Sequence, residues 1–147
     1  MQVRIIVAGK PALNYAKMAV DDYLKRLTRY GSYELIIVKA GNKEDVSDRL
    51  LMASAGCYRI ALDERGKTPT TRELASMFED MKMAGEIKTV AFLIGAADGH
   101  TPELRKQCQL VLSLSSMTLQ HEIALMVLME QLYRVETIHS GSPYHRD

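Results

Sequence analysis

A chain of 147 residues, 47% hydrophobic and 25% charged, has the composition of one globular domain spanning 1–147, which excludes a disordered tail or a repeat array. Nineteen basic against eighteen acidic side chains leave a formal charge of +1, so no overall field marks a nucleic-acid binder. Apolar runs such as Thr89–Ile94 fall far short of the roughly 20 residues that span a bilayer, and the start has no classical secretion signal.

Two cysteines, Cys57 and Cys108, each alone in an apolar or amphipathic segment, suit a reducing compartment; both are expected to be core thiols and the protein cytoplasmic. Residues 1–30 hold six basic side chains against Asp21 and Asp22. That local excess suits a solvated helix face as well as one that meets phosphate.

Along the chain, the β-branched run Val3–Val7 predicts a strand and Ala12–Tyr30 a helix with apolar residues at helical spacing. Tyr33–Val38 predicts the second strand, followed by a helix ending at Gly56. Tyr58–Leu62 is the third, followed by a helix that starts at Thr70 and Thr71 and stops near Gly85. Val90–Ile94, continuously apolar, reads as a strand buried on both faces, and Gly95–Gly99 breaks it. A short helix opens at Pro102, Leu110–Leu114 gives a fifth strand, and His121–Ile138 a long last helix. Strands alternating with helices predict an α/β fold: a mainly parallel sheet with helices on both faces.

Several chemistries are struck out by spacing. Ala8-Gly9-Lys10-Pro11 is no G-x-G-x-x-G, and there is no P-loop, C-x-x-C or G-x-S-x-G. His121-Glu122 begins like a zinc-protease motif, but Leu125 stands where the second ligand belongs, so no metal is expected.

In open parallel sheets, ligands bind beyond the carboxyl ends of the strands. Leu62–Lys67, Ile94–Gly99 and Leu114–Leu119 are therefore candidate loops of one shared pocket. Gly95 and Gly99 would admit a ligand close to backbone amides, and Leu62, Leu114 and Leu119 could wall a flat ring. The same residues also suit ordinary turns and strand ends.

Five ordered motifs carry a resemblance: Leu62-Asp63-x-x-Gly66-Lys67, Phe92-Leu-Ile-Gly95-x-x-Asp98-Gly99, Leu112-Ser-Leu-Ser115-x-Met117-Thr118-Leu119-x-His121, Glu130-Gln131-Leu-Tyr133-Arg134 and Pro143-Tyr144-His145-Arg146. Across nearly the whole chain they resemble the ribosomal large-subunit pseudouridine methyltransferase H family, a minimal branch of the SPOUT methyltransferases. The resemblance implies a SPOUT fold with a C-terminal trefoil knot, an exception to the rule that chains do not thread themselves. It also implies an enzyme that uses S-adenosyl-L-methionine to methylate N3 of a pseudouridine in large-subunit (23S) ribosomal RNA, as a homodimer acting on assembled ribosomes. A non-catalytic RNA- or nucleotide-binding module of the same fold is the alternative.

By match to the family's positions, Leu62, Gly95, Leu114, Ser115, Ser116, Met117, Thr118 and Leu119 would hold the cofactor. In the terminal segment, His145 is a candidate general base, Tyr144 a stacking or hydrogen-bonding group and Arg146 a contact to phosphate or a uracil oxygen. His121 reads as structural. Met117, Met126 and Met129 read as core or dimer packing. The chain departs from the family pattern at Gln120, where proline is usual, at Ala96, where glycine is usual, and at Leu125, often an arginine.

Overall fold

The computed structural model describes residues 1–147. Five strands and five helices alternate: β1 (Gln2–Ala8), α1 (Asn14–Thr28), β2 (Tyr33–Val38), α2 (Lys43–Ala53), β3 (Tyr58–Lys67), α3 (Thr71–Ala84), β4 (Thr89–Ile94), α4 (Pro102–Lys106), β5 (Leu110–Leu112) and α5 (His121–Ser140). Every strand pair is parallel, in the order β2-β1-β4-β3-β5. The carboxyl ends of β4, β3 and β5 thus lie side by side, and the segments that follow them meet.

Alternating side chains in the central strands feed two cores. Ile5, Val7, Phe92 and Leu112 pack beneath α1, α3 and α5 with Leu27, Phe78, Leu125 and Leu128. Ile6, Ala61, Ala91 and Leu93 pack on the opposite face with Val46 and Leu50 of α2 and Leu104 of α4. Phe78 and Phe92 stack with centroids 5.9 Å apart, and truncating either to alanine is worth about 3–5 kcal/mol. Helices therefore cover both faces, as the strand–helix alternation predicts.

Helix starts follow local chemistry. Asn42 caps α2, Thr101 caps α4, and Thr70 and Glu73 form a reciprocal capping box on α3. Gly85 closes α3 in the left-handed conformation, φ +72°. The first helix begins at Asn14 rather than Ala12: Leu13 is extended, and the Ala12 and Leu13 amides donate to the Glu122 carboxylate.

Two strand boundaries differ from expectation for one reason. β3 does not end at Leu62; it runs to Lys67, where it pairs again with Leu112 after a register break. β5 stops at Leu112 rather than Leu114, since the Ser113 amide donates to the Lys67 carbonyl at 2.7 Å and the Ser113 hydroxyl to the Ser115 carbonyl at 2.6 Å. Gly66 makes this possible: a Cβ there would lie 2.4 Å from the Val111 carbonyl oxygen. The segment 62–67 is an irregular strand clamped to β5, not a free loop.

Cys57 is buried as expected, but Cys108 is only half-buried, its thiol donating to the Leu104 carbonyl at 3.2 Å. Met129 is core, whereas Met117 is 75% exposed in the single chain, which excludes it from the core and leaves the dimer-packing expectation open. Leu125, on the core side of α5, is fully buried, so this position presents nothing to a partner.

Candidate active site

The segments after β3, β4 and β5 enclose a cavity of about 380 Å³, within the range that holds small ligands. Of the predicted cofactor residues, Leu62, Gly95, Leu114, Ser115, Met117, Thr118 and Leu119 line it; Ser116 does not. Gly95 is under close constraint: a Cβ would sit 3.1 Å from the Gly99 carbonyl oxygen and 3.3 Å from the His100 ring. The loop turns back on itself, the Gly99 amide donating to the Ala96 carbonyl at 2.9 Å, with Gly99 at φ +77°. Ala96, where the family usually has glycine, lines the cavity and also packs on the lower core.

Two polar contacts shape the mouth. The Thr118 hydroxyl donates to the Glu64 carboxylate at 2.6 Å, joining the segment after β5 to β3. The Ser115 hydroxyl accepts the Met117 amide at 3.0 Å, bending that segment. In the cavity wall, the Asp63 side chain is 3% exposed and is neutralised by Arg65 at 3.3 Å and Arg105 at 3.4 Å.

The N-terminus of α5 forms the remaining wall with Gln120, His121 and Ala124. Gln120 accepts the Glu122 and Ile123 amides at 2.8 and 3.1 Å, so its side chain caps the helix where the family's proline would fix the backbone. His121, expected to be structural, is one of the residues that line the cavity. Its place at a helix start beside the ligand segment was the available signal.

The terminal residues do not line this cavity. Tyr144 packs edge-on against Tyr133 with centroids 4.7 Å apart, lies under the Arg134 guanidinium at 5.0 Å, and donates to Glu130 at 3.1 Å. These contacts lie on α5 roughly 9–15 Å beyond Ala124, at 1.5 Å per residue. Burial, followed by the Tyr23 hydroxyl and the Glu130 charge, pushes the Tyr144 hydroxyl well above its ordinary range, so it stays protonated. His145 Nδ1 is 3.2 Å from Arg134 Nη1 and Nε2 is 2.9 Å from Asp147 Oδ1. Arg134 can only donate and the carboxylate can only accept, so the neutral ring carries its proton on Nε2 and its lone pair is occupied. Arg72 grips Asp147 through two bonds of 3.1 Å. Arg146 is exposed and has no ion-pair partner.

No group of three or more His, Cys, Asp or Glu side chains is arranged to hold a metal ion, and no helix is long and apolar enough to cross a membrane.

A parallel sheet with a cavity built from its three C-terminal strand ends and the start of the last helix defines a ligand-binding α/β enzyme core. The family model described as a predicted SPOUT methyltransferase matches residues 1–145. Ribosomal RNA large subunit methyltransferase H from Thermus thermophilus is 44% identical over 99% of both chains, and that from Deinococcus radiodurans 40% over 99% of both. A solved structure, a probable methyltransferase from Bordetella pertussis, superposes with a TM-score of 0.61 at 17% identity, covering 92% of this chain and 96% of that one. The chain belongs to the SPOUT methyltransferases and, within them, to the family of ribosomal RNA large subunit methyltransferase H. It is a methyltransferase whose methyl donor is S-adenosylmethionine. The cavity fits that cofactor: Gly95 leaves backbone open to it, and Leu62, Leu114 and Leu119 supply apolar walls.

Proposed function

We propose that this chain methylates N3 of a pseudouridine in large-subunit ribosomal RNA, on the assembled ribosome and in the cytoplasm. The observation that carries the reading is full-length identity to ribosomal RNA large subunit methyltransferases H, joined to a strand-end cavity lined by seven of the eight cofactor positions.

S-adenosylmethionine, when bound, supplies a methyl group already activated by its sulfonium. The protein's task is to align the acceptor nitrogen and take up its proton. In the single chain His145, Tyr144 and Arg146 lie outside the cavity, so a second copy is needed to bring them to it. That supports a homodimer, as do Ile123, Ala124 and Val127, which form a half-buried apolar stripe on α5 beside the cavity. Trefoil threading of the C-terminal segment belongs to the same proposal.

His145 accepts the N3 proton at Nδ1 once substrate displaces Arg134 from it. Tyr144, held as a phenol, donates a hydrogen bond or stacks on the base, and Arg146 takes a phosphate or uracil oxygen. Arg26, Arg72 and Arg134 surround the tail together with Tyr23 and Tyr133, the pairing of cations and aromatic rings that suits exposed nucleotides.

Labelled methyl transfer to ribosomes from cells lacking the protein, beside free ribosomal RNA and an unmodified-uridine control, tests the reading. Label at one pseudouridine in assembled ribosomes alone supports it; label in free RNA alone, or none despite cofactor binding, overturns it.

A further inference from the structure

His100 is 3% exposed and does not line the cavity, yet it sits directly beneath the cofactor loop. Its Nε2 is 3.0 Å from the Leu93 carbonyl, which can only accept, so the proton is on Nε2. Its Nδ1 is buried without a hydrogen-bond partner, a state native structures seldom leave unexplained. The ring edge closes the space beside Gly95. The His100 carbonyl accepts from Arg105 Nη1 at 2.8 Å, and the same nitrogen reaches Asp63 at 3.4 Å. One residue thus ties the ends of β3 and β4, the start of α4 and the loop Gly95–Gly99 to each other.

We propose that His100 is a positioning residue of the cofactor site: its neutral imidazole holds the loop Gly95–Gly99 in its binding shape, and a proton gained at Nδ1 loosens that loop and weakens cofactor binding. The inference rests on the strand-end cavity being the cofactor site.

The groups around the ring set the direction. Leu93 of β4 and Leu62 of β3 present carbonyls, Asp63 of β3 attracts a proton and Arg105 of α4 opposes it. Burial is the largest influence and holds the imidazole below its ordinary value of 6.5, so the closed loop belongs to the neutral form. An added positive charge must either move toward water or draw Asp63 away from Arg105, and each disturbs a cavity wall. Cofactor affinity is therefore highest while the ring is neutral and falls as pH drops through its lowered value, by up to about tenfold per pH unit.

The test is calorimetric titration of the full chain with S-adenosylhomocysteine at about pH 8, 6.5 and 5.5. Affinity of the wild-type chain is expected to fall across the series. His100→Gln keeps an N–H for the Leu93 carbonyl but cannot titrate, so it loses the fall, and it binds more tightly than His100→Ala. A fall that persists in His100→Gln belongs to another group and overturns the proposal. Flat wild-type binding overturns it as well while leaving the cofactor reading intact. No binding at any pH removes the site itself. The ring Cε1 resonance gives a readout that needs no ligand: His100 is expected to stay neutral below its ordinary value of 6.5, and a ring that protonates above that value overturns the proposal.

Discussion

The carboxylate of Glu122, in the first turn of α5, accepts the backbone amide of Leu13 at 3.0 Å, and that of Ala12 beside it. A residue from the last helix thereby anchors the segment that leads into the first helix, for which Leu13 has no capping side chain. The contact fixes the α5 start, a wall of the cavity, against the loop after β1.

Replacing Glu122 with alanine is expected to destabilise the fold by about 1–3 kcal/mol, the worth of lost hydrogen bonds to a charged acceptor. The Leu13 amide, with that of Ala12, holds the carboxyl below its ordinary value of 4.5 despite burial. Its stabilisation is full above that value and is lost as pH falls through the lowered one. Urea unfolding of both chains at neutral and strongly acidic pH is expected to show a gap that closes in acid. A gap independent of pH would falsify the charged anchor.

Gly95→Ala places a methyl 3.1 Å from the Gly99 carbonyl, where the loop must yield by a few tenths of an ångström. Cofactor affinity is expected to drop about tenfold, with stability falling by only about 1 kcal/mol. Gly66→Ala behaves oppositely, because its Cβ meets rigid β5 backbone at 2.4 Å. Stability is expected to fall by about 2–3 kcal/mol. Thermal melts beside cofactor titrations separate the two, and equal losses in both variants would contradict this assignment.

Gln120→Ala removes the side-chain cap of α5 and is expected to cost about 1 kcal/mol. Gln120 has φ −61°, close to the value proline requires, so Gln120→Pro is expected to recover part of that loss by restricting the unfolded chain. Chemical denaturation midpoints order the three chains; Gln120→Pro below Gln120→Ala is the contrary result.

His145→Ala is expected to lower methyl transfer to ribosomes by about a hundredfold or more while leaving cofactor affinity unchanged, since the imidazole lies outside the cavity of its own chain. Equal losses of transfer and binding would assign it a folding role. If the second copy completes the site, mixing His145→Ala with an inactive cofactor-pocket variant is expected to restore part of the activity through heterodimers.

Much of the fold was legible because its signals are local. Val90–Ile94 reads as a buried strand from its own side chains, and Thr70 with Glu73 marks a helix start within four residues. The errors share one source: β3 running on to Lys67 and β5 stopping at Leu112 are settled by pairing between segments 45 residues apart, and period-2 patterning carries no term for a partner. Gln120 as a cap was equally hidden, since glutamine is not a favoured capping residue and acts here only because its side chain folds back on α5.

The sequence by itself determined the element order, the parallel sheet covered on both faces, and through five ordered motifs the family and the strand-end segments that share a cavity. Tertiary structure decided that Ser116 and the terminal residues stay outside that cavity, that His121 lines it, that Leu125 is core, and that His100 lies beneath the loop. Periodicity records which side of an element is apolar. Which residues from distant elements come within hydrogen-bonding distance depends on sheet order and helix packing, and these exist only once the chain has folded.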